Sequence, residues 1–534
     1  MFGYIIKKIR FRKIRNENDA EQGRGAEGDL PAFSEDLEEN LKALKLILGK
    51  SGDIVLRRFT FGYKNGAEAA LLFIDGLVDK SLVHENIMKP LMLGAVPAKE
   101  TSEGSGIAYI KSALLYVGDL RESASVREAV EGFLSGDTIL LVNGSKEALI
   151  ISLRGWQNRS IEEPLTESTV RGPRDGFTET LRVNTMLLRR KIRCPDLTFE
   201  TVQIGVRTRT DVCIAYIDGL ASPGLIEEIK KRLGRINTDA ILESGYIEQF
   251  IEDAPFSIFS TVANSERPDK IAAKLLEGRA AILVDGTPFV LTVPTLFIES
   301  FQAAEDYYSR PYFASVIRLL RYLAFFISVL APALYVAMAT FHQELIPTPL
   351  LLTVASAHEG TPFPSVLEAG LMVIIFEILR EAGVRLPRPV GSAVSIVGAL
   401  VIGDAAVSAG LIGAPMVIVV AMTAVSSFVV PPQTDAGAIM RLSFLILAGM
   451  MGGYGIAIGL FAVFVHLASL RSFGTPYLSA VAPFSKRDMK DTFIRAPLWS
   501  MRKRPENIAA EDKVRQGTGL TPAPPEPEHQ KPEA

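Results

Sequence analysis

The sequence predicts an α/β soluble head of two duplicated subdomains followed by an all-α, multi-span membrane domain. Three observations carry this. The chain changes character near Arg321: from Tyr322 to Leu470 it is largely apolar and rich in Gly and Ala, with no lysine between Lys274 and Lys486. Tyr322–Phe341 is a twenty-residue run without a charge, which as a helix at ~1.5 Å per residue spans about 30 Å, the hydrocarbon thickness of a bilayer. The part before the break contains an internal repeat, and repeats are settled before other fold reasoning.

Composition sets limits. A chain of 534 residues has room for two or three domains. A net charge of −3 lacks the basic excess of a nucleic-acid binder, so no nucleic acid is expected as a partner. Two cysteines, Cys194 and Cys213, make no disulfide framework, which fits a head in a reducing compartment. Met1–Ile6 is too short for the apolar core of an export signal, so the head is expected to stay cytoplasmic.

Residues 1–34 carry a basic cluster, Lys7 to Arg15, and then an acidic, Gly-containing stretch. They read as a disordered leader, or as a polybasic anchor on anionic lipid at ~1 kcal/mol per charge. Subdomain one covers 35–155. Within it Leu72-Phe73-Ile74-Asp75-Gly76-Leu77 recurs 143 residues later as Ala215-Tyr216-Ile217-Asp218-Gly219-Leu220. Phe133-Leu134-Ser135-Gly136 and Leu141-Val142-Asn143-Gly144-Ser145 recur, at an offset of 142, as Leu275-Leu276-Glu277-Gly278 and Leu283-Val284-Asp285-Gly286-Thr287. Each copy starts with a strand ending in Asp-Gly and an amphipathic helix. It closes with a helix, a Gly stop, and two strands joined by an Asn-Gly or Asp-Gly turn. The repeated pairs serve as turns or as ligand-contacting loops. The second copy is placed at 195–300. Between the copies, 156–194 forms a polar joint with Glu162, Glu163, Arg171 and Arg174. Its arginines either clamp the acidic pair across the subdomain interface or hold a phosphate or carboxylate.

Residues 301–475 form the transmembrane domain, with five apolar segments: Tyr322–Phe341, Phe363–Leu379, Ser392–Gly410, Ala414–Val430 and Leu442–Leu470. Arg318 and Arg321 before the first segment, and Arg380, Arg385 and Arg388 after the second, put the head and that loop inside. Five crossings would leave the C-terminus outside, yet 476–505 is a basic, cytoplasmic segment. An even count therefore needs a re-entrant segment or a break of the last one at Gly449–Gly455. Ser392–Gly410 is rich in small residues suited to close helix approach, and Asp404 sits within it. Glu368 and Glu377 are further intramembrane acids, each needing water or a partner; Arg380 is the nearest basic partner of Glu377. Residues 506–534 form a disordered Pro/Glu tail.

No enzyme signature is found. The five histidines lack metal-ligand spacing, and there is no P-loop, dinucleotide fingerprint or nucleophile motif, so no catalysis, cofactor or metal is expected.

The assembled motifs resemble the GerA family of endospore-forming bacteria, specifically A subunits of nutrient germinant receptors. The match rests on Ile161-Glu162-Glu163-Pro164, on Val170-Arg171-Gly172-Pro173-Arg174-Asp175-Gly176-Phe177, and on Glu377 to Gly383. It is strongest at Arg385-Leu386-Pro387-Arg388-Pro389-Val390-Gly391, continuing from Ser395 to Val407, and it ends in Lys490-Asp491, Arg495-Ala496-Pro497 and Met501 to Pro505. The resemblance implies a multi-pass spore inner-membrane subunit that works with a transporter-like B subunit and a lipoprotein C subunit. It also implies a homo-oligomer acting as a nutrient-gated cation channel. The SpoVAF-type paralogue, an accessory channel or scaffold, shares these motifs; a secondary transporter is a further alternative. On the channel reading the path is expected along Ser392–Gly410, lined by Ser395, Val397, Val401 and Asp404, with Val397 and Val401 as an apolar gate.

Overall fold

The computed structural model describes residues 32–61, 67–93, 110–111, 115, 117–155, 163–164, 166–385, 401–486, 488–508, 512–517 and 520–522. The chain falls into two compact units. One is drawn from 1–251, 262–293 and 497–534, the other from 252–261 and 294–496.

In the first unit, helix α1 (Leu37–Leu48) is capped by Asp36, whose carboxylate accepts from the Glu38 N–H, and it buries Leu37, Leu41, Leu44 and Leu48 along one stripe. Strands β1 (Ile54–Phe61), β2 (Ala67–Ile74), β3 (Leu120–Ser123), β4 (Thr138–Val142) and β5 (Ala148–Ile151) form an antiparallel sheet, with α2 (Val126–Leu134) before β4. After α3 (Leu181–Lys191) the pattern repeats as β6 (Leu197–Ile204), β7 (Thr210–Ile217), helices α4 (Pro223–Leu233) and α5 (Ser244–Ile251), β8 (Ala263–Ser265), α6 (Pro268–Leu275), β9 (Ala280–Val284) and β10 (Val290–Val293). The two sheets share one strand order, β1-β2-β4-β5-β3 and β6-β7-β9-β10-β8. Asp75 and Asp218 follow β2 and β7 directly, and Gly76 and Gly219 continue the turns at φ 93° and 79°.

The Asn-Gly and Asp-Gly turns also anchor the opening helix of their own copy. Asn143 Oδ1 accepts the Leu37 N–H at 3.2 Å, and Asp285 Oδ1 accepts the Leu181 N–H at 2.9 Å. Gly144 and Gly286 donate to the Glu35 and Glu179 carbonyls, with φ of 84° and 92° that favour glycine. Inside each helix an asparagine closes the preceding loop: Asn40 pairs with the backbone of Ser34, and Asn184 with that of Thr178. The equivalence therefore begins near Phe33 and Phe177. The second half of the stretch read as a joint is the first helix of the second copy. Its basic end, Arg189-Arg190-Lys191, leaves a thin apolar face that reads poorly as a core helix.

The two copies share one apolar core, in which Leu41 and Leu44 pack with Leu187, Leu188, Leu197 and Phe199. Arg189 crosses between them, donating to both Asp53 oxygens, to Ser51 Oγ at 3.1 Å and to the Cys194 carbonyl at 3.1 Å. Burial pushes the Cys213 thiol up to about 12 and that of Cys194 to about 11, so both stay protonated at neutral pH.

The second unit is helical. It contains α7 (Pro311–Thr340), α8 (Thr348–His358), α9 (Ser365–Arg385), a helical stretch at 401–408, α10 (Ala414–Ser427) and α11 (Thr434–Ser469). Among the described residues, two helices are long and apolar enough to cross a membrane, Pro311–Thr340 and Pro431–Ser469. The latter breaks at Gly452, whose φ of 59° and ψ of −139° interrupt the helix. The His342 Nε2 accepts the Gly453 N–H there at 3.2 Å, and a Cβ at Gly452 would lie 2.8 Å from Phe341. The interruption falls within Gly449–Gly455, the stretch at which the sequence allows the last apolar segment to break.

Candidate functional site

Charged groups in the helical unit are few and concentrated, and three clusters hold most of the chemistry. At the start of α7, Arg318 is fully buried. Its Nε donates to Asp306 Oδ2 at 3.1 Å, and its Nη1 to Asp491 Oδ1 at 2.8 Å and to the Asp491 carbonyl at 2.6 Å. Arg321 closes on both Asp306 oxygens at 2.8 Å. The sequence presents Arg318 and Arg321 as a flank of positive charge; the structure engages them in ion pairs. Nearby, Tyr477 donates its hydroxyl to the Ser260 carbonyl at 2.9 Å, and burial raises its pKa.

The second cluster lies within the apolar helices. Arg441 on α11 is 1% exposed. It donates to Glu377 Oε1 at 2.7 Å and to the Ser328 carbonyl of α7 at 2.8 Å, and its guanidinium lies 5.8 Å from the Phe376 ring centre. The other oxygen of Glu377 takes Arg380 at 2.8 Å. One carboxylate thus bridges two arginines and ties α7, α9 and α11. Removing Glu377 would cost about 3–5 kcal/mol, because the buried Arg441 is then left as an uncompensated charge.

The third cluster is Glu368 in the first turn of α9, 0% exposed, with neither carboxylate oxygen hydrogen-bonded among the described residues. His358 Nδ1, at the end of α8, stands 3.5 Å from its Oε1. The other ring nitrogen of His358 is 3.1 Å from the Tyr335 hydroxyl of α7. His358 also lines a cavity of about 460 Å³ together with Ala339, Gln343, Leu351, Thr361 and Phe363.

Of the remaining candidates, Asp404 is exposed on 401–408 and Val401 is 57% exposed, while Gly403 packs toward Val417 of α10. Ser395, Val397 and Glu162 lie outside the described residues. In the joint, Arg174 Nε is 4.0 Å from Glu163 Oε2 with Arg174 well exposed, a geometry worth about 0–1 kcal/mol. Arg171 is exposed. Arg267, 1% exposed, also gathers the joint: it donates to the Glu167 and Pro173 carbonyls, Thr169 Oγ1 and both Asp269 oxygens at 2.8–3.1 Å. Sequence reasoning passed over Arg267, Arg441 and His358. Arg441 is the most findable of the three, being a lone arginine at the margin of a long apolar run.

Comparison with known proteins gives the family. Spore germination protein KA of Bacillus subtilis (strain 168) is 48% identical over 92% of this chain and 90% of its own length. The uncharacterized membrane protein YfkQ of the same organism is 46% identical over 89% and 91%, and spore germination protein GerLA of Bacillus cereus is 38% identical over 91% and 98%. The crystal structure of the N-terminal domain of the A subunit of the Bacillus megaterium spore germinant receptor GerK3 is 35% identical, covers 50% of this chain and 98% of that chain, and has a TM-score of 0.40. The family model for the Bacillus/Clostridium GerA spore germination protein matches residues 42–507, and the chain belongs to that family.

Proposed function

We propose that this chain is the membrane subunit of a spore germinant receptor, assembling with copies of itself into a cation channel that opens in response to a nutrient. The observation that carries the reading is the Arg441–Glu377–Arg380 cluster inside a set of apolar helices, with the Arg441 guanidinium fully buried. Ionisable groups at membrane depth are costly and mark ion paths, switches or their supports. The family relationship supplies the process, and the two membrane-capable helices supply the setting.

On this reading the protein works with a transporter-like B subunit and a lipoprotein C subunit in the inner membrane of the spore, with its head on the core side. The Arg318–Asp491 pair supports a C-terminal segment on the same side of the bilayer as the start of the first span. The domain limits read from the sequence are kept here except for the second repeat, which opens near Phe177 instead of at 195. The test is reconstitution of the purified full chain in liposomes loaded with a potassium-sensitive dye. Cation flux above that of protein-free vesicles is expected, together with dependence of spore germination on the gene. A chain that supports germination but passes no ions alone or with its partner subunits is a scaffold, and the channel reading fails.

A further inference from the structure

A bare carboxylate buried in apolar packing loses its hydration without return, and Glu368 is such a group: fully buried, with both oxygens unpartnered among the described residues. Its place in the first turn of α9 favours negative charge, but a helix end does not replace a counter-charge. Among the described residues, the groups around it leave one source. From α8 comes His358, 3.5 Å away, followed by Glu359, which is exposed. From α7 comes Tyr335, whose hydroxyl meets the far side of the His358 ring. α10 and α11 bring Met416, Val420 and Leu445 to this packing cluster, none of them titratable. The stretch 401–408 contributes Ala406 to the cluster, and its Asp404 is exposed. Glu377 is engaged by Arg441 and Arg380.

We infer that Glu368 and His358 form a proton-binding site, loaded from the adjoining cavity, that ties the end of α8 to the first turn of α9. With the proton on the imidazole, Nδ1–H faces the carboxylate and Nε2–H faces the Tyr335 oxygen, so the buried negative charge is balanced. When the proton leaves through His358 to the cavity, the carboxylate is left uncompensated and the packing of α8 on α9 weakens. The counter-charge that balances Glu368 is therefore present at low pH and withdrawn as pH rises, and the packing of α8 on α9 follows it.

Hydrogen exchange on the full chain in lipid nanodiscs tests this, read on peptides covering 348–358 and 365–372 and corrected for intrinsic exchange rates. Over about pH 6 to pH 8, the range that brackets an ordinary imidazole, protection in the parent protein is expected to fall at least tenfold. Glu368→Gln keeps the shape and removes the charge, so its protection is expected to stay flat with pH. His358→Gln supplies no positive charge, so its protection at about pH 6 is expected to match that of the parent at about pH 8. A flat parent profile, or a Glu368→Gln profile that keeps the parental fall, overturns the inference. Should Glu368→Gln yield no folded protein, His358→Gln decides alone, and a parental profile in that variant overturns it equally.

Discussion

Arg189 and Asp53 stand 136 positions apart and form a two-point ion pair, Nε to Oδ2 at 3.0 Å and Nη2 to Oδ1 at 2.9 Å, with side chains 1% and 3% exposed. The arginine sits at the end of the first helix of the second copy, and the aspartate sits just before the first strand of the first copy. The fork also takes Ser51, which in turn accepts the Phe199 N–H at 3.1 Å. This is the polar seam through a core that the two copies otherwise fill with aliphatic side chains.

Arg189→Ala is therefore expected to destabilise the first unit by about 3–5 kcal/mol, most of it the cost of leaving Asp53 buried without its partner. Urea unfolding of the full chain, read by the exposure of the buried Cys213 thiol, measures this. The paired change Arg189→Met with Asp53→Leu removes both charges and is expected to recover most of the loss. If the double variant is as unstable as the single one, the loss comes from packing, and the account in terms of an orphaned charge fails.

Much of the first unit was legible because its repeat is written in turn chemistry. Asp75-Gly76 and Asp218-Gly219, or Asn143-Gly144 and Asp285-Gly286, keep their identities since the backbone there needs a positive φ and a side-chain acceptor for a helix start. Arg189 and Arg267 were not legible, because a buried arginine is indistinguishable in sequence from a surface one until its partners are brought to it. Asp53 lies 136 residues from the one and Pro173 lies 94 from the other. In the helical unit, apolar runs mark the helices but say little about which polar side chains meet. Glu368 was visible as an acid in an apolar run, whereas His358 is joined to it only by the turn between α8 and α9.

Gly452 interrupts α11 with a backbone conformation that L side chains rarely adopt, and an added Cβ would press on the Phe341 side chain at 2.8 Å. Gly474 also has a positive φ, of 83°, but a Cβ there meets nothing within 4 Å. Both substitutions to Ala carry about 1–3 kcal/mol of backbone strain, and Gly452→Ala adds overpacking of about 1–3 kcal/mol. Thermal unfolding in detergent is expected to rank Gly452→Ala well below Gly474→Ala. Equal midpoints would mean that the break in α11 adapts freely.

Arg441→Ala leaves Glu377 with Arg380 alone and frees the Ser328 carbonyl, while Glu377→Gln leaves Arg441 buried without its carboxylate. Glu377→Gln is expected to cost about 3–5 kcal/mol because it strands the buried Arg441, and Arg441→Ala less because Arg380 still pairs Glu377; both are expected to lower the amount of folded protein recovered from membranes. Combining Arg441→Met with Glu377→Leu is expected to lose less stability than the two single changes summed. If the double variant folds well yet fails to support germination, the charges serve the response itself rather than only the packing.

Val401 and Asp404 lie three positions apart on the helical stretch 401–408, Val401 57% exposed and Asp404 exposed, with Gly403 between them packed toward Val417. Positions three apart share a helix face, so on the channel reading proposed above one face of this stretch offers an apolar side chain followed by an acid to the path between copies. A ring of valines narrows and dewets a path, and a ring of aspartates beyond it attracts cations. Val401→Ala is then expected to raise cation leak from liposomes without any stimulus. Asp404→Asn is expected to leave the leak rate low but to reduce preference for cations over anions, by about fivefold if each passage loses ~1 kcal/mol of attraction. Flux is compared at matched amounts of protein in the bilayer, since both changes also touch helix packing. Unchanged leak in the first variant and unchanged preference in the second would move the conducting path off this stretch, to α9, the helix that carries Glu368 and Glu377.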